Sequence, residues 1–185
     1  MRGVLALWLW ALVAGGAWLA APAALAADAP QMTGFEVIQD DEGVALSYAV
    51  DFELSRSVED ALSKGVPLYF LAEAEVYRER WYWRDKRVAH ATRLWRIVYQ
   101  PLTTSYRVTF GGLNLNYPTQ AEALASMRRA VRWKVAEVGQ IETGKGHYVE
   151  FNFRLDTTLL PRPMQIGISG QPDWALSLER MQRFN

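Results

Sequence analysis

The sequence predicts a mainly β, antiparallel β-sandwich-like domain with two short α-helices, preceded by an N-terminal signal peptide. Three observations carry this reading: long stretches in which apolar and polar residues alternate, two helix-capping patterns, and an uncharged apolar run near the N-terminus that ends in small residues. Alternation marks a strand with one face in a core and the other in water, the ordinary condition of an antiparallel sheet.

The N-terminal segment comes first. Arg2 precedes a 17-residue uncharged apolar run, residues 4–20, and Ala24-Leu25-Ala26 places small residues where a signal peptidase reads them. Cleavage after Ala26 is expected. An uncleaved membrane anchor is the alternative, although Gly15, Gly16 and Pro22 would weaken a spanning helix. Cleavage leaves a single domain, residues 27–185, with 19 basic and 20 acidic residues and a net charge of −1. Such a balance gives no global attraction to nucleic acid or to an anionic membrane. The chain has no cysteine, which excludes N-terminal lipidation and leaves the fold to its core alone. The expected location is the bacterial periplasm, and the expected state is a monomer.

The strands follow. Val44, Leu46, Tyr48, Val50, Phe52 and Leu54 alternate with polar or small residues, as do Val149, Phe151, Phe153 and Leu155. Val131, Trp133 and Val135 repeat the pattern with Arg132 and Lys134 between them. In SRSVEDALSKG, Ser57 with Asp60 resembles a capping box, and Gly65 supplies the left-handed residue beyond the helix. In YPTQAEALASMRRA, Thr119 caps a helix of about three turns whose buried stripe holds Leu124 and Met127. Asp40-Asp41-Glu42-Gly43 and Thr143–Gly146 read as turns, the second as a hairpin turn. Pro161 and Pro163 suggest a rigid loop before a strand over Met164–Ile168, and Gln171-Pro172-Asp173 a turn into a last strand from Trp174.

The stretch RERWYWRDKRVAHATRLWR, residues 78–96, is the richest in recognition chemistry. It holds seven basic residues, two acidic ones and four aromatics. With Asp85-Lys86 as a hairpin turn, Ala72 faces Tyr99, Ala74 faces Ile97 and Val76 faces Trp95, so small residues oppose large ones. On the other face Glu75 meets Arg96, Tyr77 meets Leu94, and Arg78 meets Arg93 unfavourably. A second pairing, Tyr99 with Tyr106, Ile97 with Val108 and Trp95 with Phe110, keeps one face apolar across three strands. A meander over residues 66–110 is therefore expected at the centre of the domain, with Trp95 in the core.

Trp81, Tyr82 and Trp83 are consecutive, so alternation cannot bury all three on one sheet face. Either Trp81 and Trp83 pack beneath a neighbouring loop while Tyr82 points outward, or the rings form an exposed interaction site. In the second case Arg80, Arg84, Lys86 and Arg87 surround Trp81, Tyr82 and Trp83, a composition enriched in protein hot spots.

No catalytic constellation is visible, and no catalytic, cofactor-binding or metal-binding residue is assigned. His147 and Glu150 lie three apart on a strand and so point to opposite faces. Glu73 and Glu75 share a face and could serve as acid and base, but they read as members of a solvated charge ladder.

LSRSVEDALSKGVPLYF (residues 54–70), RWYWRDKRVA (80–89), WRIVYQPLTTSYRV (95–108), LDTTLLPRPMQI (155–166) and DWALS (173–177) together resemble a family of exported proteobacterial proteins described as domain of unknown function 4390. The resemblance implies a periplasmic, β-rich domain with a signal peptide and brings no catalytic residues. It also suggests, through gene neighbourhood, an envelope-signalling role beside a membrane sensor histidine kinase. The functional expectation is a non-enzymatic periplasmic binding or interaction module. The alternatives are a carrier holding a small apolar ligand between the sheets and, further off, an enzyme acting on sugar or peptidoglycan.

Overall fold

Each alternating stretch becomes a strand because only a sheet presents every second side chain to one side. The computed structural model describes residues 29–168 and 170–184, so the signal-peptide reading of residues 1–26 lies outside the described residues. β1 (Gln31–Asp40) and β2 (Gly43–Asp51) form a hairpin, and β7 (Arg129–Ala136) joins β2 to complete a three-stranded sheet. The second sheet has six strands in the order β6-β5-β4-β3-β8-β9. These are β3 (Leu68–Arg78), β4 (Lys86–Gln100), β5 (Ser105–Phe110), β6 (Leu113–Tyr117), β8 (His147–Leu155) and β9 (Ser177–Phe184). Every pairing is antiparallel. The mainly β, two-sheet expectation holds, with three α-helices among the described residues rather than two: α1 (Arg56–Ser63), α2 (Gln120–Ala125) and α3 (Arg162–Ile168).

The core lies between the sheets. Val44, Leu46, Tyr48, Val50, Phe52 and Leu54 are buried from one side and Val149, Phe151, Phe153 and Leu155 from the other. Their rings interlock: Tyr48 lies 4.7 Å from Phe151, and Phe52 lies 5.4 Å from both Phe70 and Phe153, centroid to centroid. Such spacings are those of aromatic pairs in contact, so side chains occupy the centre of the sandwich.

The β4–β5 register is as expected, Tyr99 to Tyr106, Ile97 to Val108 and Trp95 to Phe110. The β3–β4 register is not. Val76 faces Ala89 rather than Trp95, Ala74 faces Ala91, Ala72 faces Arg93, and Phe70 faces Trp95. From Leu68 to Val76 the slide is six residues and even, so these side chains keep their faces and Trp95 stays in the core; a bulge between Val76 and Tyr77 shifts the last two pairs by one more. The cause is a third strand. Ala72 and Ala74 stand beside Phe153 and Phe151 of β8, so small against large is satisfied across β3–β8 instead. Glu75 consequently faces His90 instead of Arg96, and Tyr77 faces Arg87 instead of Leu94. Arg78 no longer meets Arg93; it reaches Glu142. The Arg93 guanidinium lies 5.0 Å from the Trp133 ring and 5.6 Å from that of Phe110. Burial there lowers its pKa.

Five further expectations are corrected. The expected alternation of Val131 with Trp133 breaks at a β-bulge: Arg132 takes φ 47°, the β2–β7 register shifts, and Val131 turns outward while Ala130 and Trp133 stay buried. The α1 cap is Ser55, which accepts from the Val58 N–H at 3.3 Å, while Ser57 donates to Asp173 Oδ2 at 2.6 Å. Residues 164–168 are helix, not strand, because Pro163 sits in the first turn of α3, where no backbone N–H is needed. Trp174 ends a single helical turn and packs into the core, so β9 starts at Ser177. Residues 143–146 lie in the connection from the three-stranded to the six-stranded sheet rather than in a hairpin.

Turn chemistry fits elsewhere. Thr119 caps α2 by accepting from Glu122 N–H at 3.2 Å, although that helix is only six residues long, and Leu124 and Met127 are buried as expected. At the β1–β2 turn, Glu42 N–H donates to Asp40 Oδ1 at 2.9 Å, and Gly43 has φ 122°. A Cβ on Gly43 would lie 2.2 Å from the Ala136 carbonyl oxygen. The sheets are unequal in width, and the β5–β6 wing extends past β7. On its inward-pointing face Leu113 is 66% exposed and Leu115 52%.

Candidate interaction surface

β3 and β4 are the longest strands of the fold, and the loop joining them, residues 79–85, protrudes beyond the final pair Arg78–Lys86. Trp81 is 93% exposed, Trp83 72% and Tyr82 70%. Among the described residues no neighbouring loop covers Trp81 or Trp83, so the packed arrangement expected as one possibility is not the one observed there. Trp81 and Tyr82 meet edge to face, 4.9 Å apart at an interplanar angle of 69°.

The loop's own acids hold its shape. Asp85 Oδ1 accepts from the Arg80 N–H at 2.9 Å, and Asp85 Oδ2 accepts from the Tyr148 hydroxyl at 3.0 Å. This tie at the base explains why Asp85 is not a turn centre: it closes a seven-residue loop. Glu79 accepts from Arg183 Nε at 2.6 Å, and its backbone N–H donates to Gly146 O at 2.9 Å. Burial and the Asp85 bond both push the Tyr148 pKa up, and the Glu79 bond raises that of Arg183.

With Glu79 and Asp85 turned toward the body, the outward charge of the tip is basic. Of the cations expected there, Arg87 is drawn back to Glu75. Arg80, Arg84 and Lys86 enter no ion pair among the described residues. Beside the tip a groove of about 780 Å³ runs between Arg80–Tyr82 and Glu142, Lys145 and Arg183.

A second cluster lies on the outer face of the six-stranded sheet. His90 Nε2 is 2.7 Å from Glu73 Oε1, and Arg154 Nη1 donates to Glu73 Oε2 at 2.9 Å. Tyr77 donates to Glu75 Oε2 at 2.7 Å, and Arg87 pairs with Glu75 Oε1. The His90 bond first, and that of Arg154 second, hold the Glu73 carboxyl below its ordinary value. The Glu75 bond pushes the Tyr77 hydroxyl up to about 12. Ligand atoms of Glu73, Glu75 and His90 lie within 4.8 Å of one another, a spacing at which they could share a metal ion. Each carboxylate already has a guanidinium, however, and this neutralises the charge a cation would need. The arrangement is the cross-strand ladder the sequence suggested, built with Arg87, His90 and Arg154 in place of Arg96.

His147 is buried, with Nδ1 2.8 Å from Lys145 O and its ring stacked on Phe184. Its face is opposite that of Glu150, as alternation requires. Sequence reasoning did not find Tyr148, Arg154 or Arg183. Each lies 60 or more positions from its tip or ladder partner, and only the β3–β8–β9 pairing brings them near.

Among the described residues no helix is long and apolar enough to cross a membrane. Residues 27–184 match a family model described as a domain of unknown function. No curated protein and no solved structure matches the chain.

Proposed function

The chain belongs to the DUF4390 family, and from that premise we propose that it is a non-catalytic interaction module of the bacterial periplasm which presents its β3–β4 tip to a partner in the cell envelope. The observation that carries this is the exposure of Trp81, Tyr82 and Trp83 together, on a loop whose acids are turned inward. Leaving three large rings in water has a cost that folding alone does not explain, and such rings ringed by arginine are what binding surfaces use. A membrane sensor histidine kinase is the partner that the family resemblance suggests. Export through the N-terminal apolar segment is part of the proposal.

The two alternatives find less support. A carrier of apolar cargo would need space where Tyr48, Phe52, Phe70, Phe151 and Phe153 make their ring contacts. An acid–base enzyme would need free carboxylates, and Glu73 and Glu75 are engaged with cations. A photoreactive residue at Tyr82, activated in intact cells, tests the proposal. A specific adduct is expected from Tyr82 and not from Leu102, which is more exposed still but lies on the β4–β5 turn. No adduct, or the same adducts from both positions, would overturn it.

A further inference from the structure

The chemistry of the tip identifies what it meets, and we infer that this is the headgroup–acyl boundary of an anionic lipid bilayer, an inference that rests on the tip being the docking element. Shape comes first. The rings stand on a convex loop past the last strand pair, 70–93% exposed, with only the wide groove toward Glu142, Lys145 and Arg183 on one side of them among the described residues. A protein partner would have to bring a pocket for three bulky rings, whereas a bilayer boundary accepts a convex tip without any preformed shape. The ring types come second. Tryptophan and tyrosine join an apolar body to a polar edge, which places them at the level of the lipid headgroups.

Charge is the third argument. The chain is close to neutral as a whole, yet Arg80, Arg84 and Lys86 flank the rings without acidic partners among the described residues, and the acids of the loop are occupied by Arg183, Tyr148 and the Arg80 N–H. A local basic collar around buried-in rings matches anionic headgroups, each cation near such a surface adding its own attraction. The backbone supports shallow entry: the loop is tied at its base by Asp85, so only side chains need leave water.

The test uses residues 27–185, which contain every described strand and helix, with vesicles of phosphatidylcholine alone and with 30% phosphatidylglycerol. Cosedimentation should show binding to the anionic vesicles, weakening as salt rises. Brominated acyl chains should quench tryptophan emission in the wild type and not in W81A/W83A. That double variant should bind about tenfold more weakly while keeping its thermal midpoint, since both rings are exposed. The variant R84E/K86E should lose the preference for anionic vesicles. Absence of vesicle binding by the wild type, or equal binding by W81A/W83A, would overturn the inference. If vesicles fail while Tyr82 crosslinks a protein in cells, the tip is a protein-docking element: the proposed function stands and the lipid inference falls. If both fail, both fall.

Discussion

Replacing Phe153 by alanine decides whether the space between the sheets is core or cargo hold. The ring is fully buried and lies 5.4 Å from Phe52, 6.0 Å from Phe70 and 6.4 Å from Tyr48. Burial of such a side chain contributes about 1.5–3 kcal/mol by transfer from water alone. The void left behind adds about 24 cal/mol for each Å³ that the neighbours cannot fill, which brings the usual total to about 3–5 kcal/mol. In a domain of this size each kcal/mol moves the thermal midpoint by about 2–4 °C, so a fall of about 6–20 °C is expected. Thermal and urea unfolding followed by circular dichroism would measure it, and the milder Phe153→Leu keeps the experiment readable if the alanine variant does not fold. In a carrier, the ring would line a ligand space and its loss would cost little. A midpoint shift under about 3 °C for Phe153→Ala would refute the filled core and revive the carrier reading.

Gly43→Ala should destabilise by at least about 2 kcal/mol, because φ 122° and a Cβ 2.2 Å from the Ala136 carbonyl penalise it together; a lowered urea midpoint at unchanged slope is the readout. Ser55→Ala should cost about 1 kcal/mol through loss of the α1 cap, seen as a small drop in thermal midpoint, and Ser57→Ala should leave that cap intact. Glu73 has its carboxyl pKa held below the ordinary 4.5, so its contribution to stability is present above that pH and lost as the pH falls through the folded value. Urea midpoints measured from pH 6 downward should therefore fall less steeply below pH 4.5 in Glu73→Gln than in the wild type.

How far the fold was legible follows from where each constraint sits in the chain. Facing of side chains was readable because it needs only period 2: every residue expected on the buried faces of β2 and β8 is buried. The β4–β5 register was readable because a short turn ties Gln100 to Ser105 and leaves one pairing. The β3–β4 register was not, since Ala72 and Ala74 make room for rings that arrive on β8, some 80 positions later. The bulge at Val131 and Arg132 escaped for a related reason: the pattern continues through it, and only the pairing with β2 shows the extra residue. At the tip, alternation established that Trp81, Tyr82 and Trp83 could not share one buried face. Whether another loop covered them was a question about tertiary neighbours, which period and composition do not contain. The ladder was found as a ladder, but its partners were assigned through the wrong register.

The unequal widths of the two sheets divide the molecule by how readily its amides meet solvent. β3 and β8 have strands on both sides and the core beneath, whereas β6 has one hydrogen-bonded neighbour and leucines at positions 113 and 115 that face water. Opening of β6 thus exposes little new apolar surface, and its amides should exchange with deuterium through local excursions while those of β3 wait for global unfolding. The tip straddles that divide: its loop leaves β3, which is paired on both sides as far as Arg78, and enters β4, whose residues 86–94 pair with β3 alone.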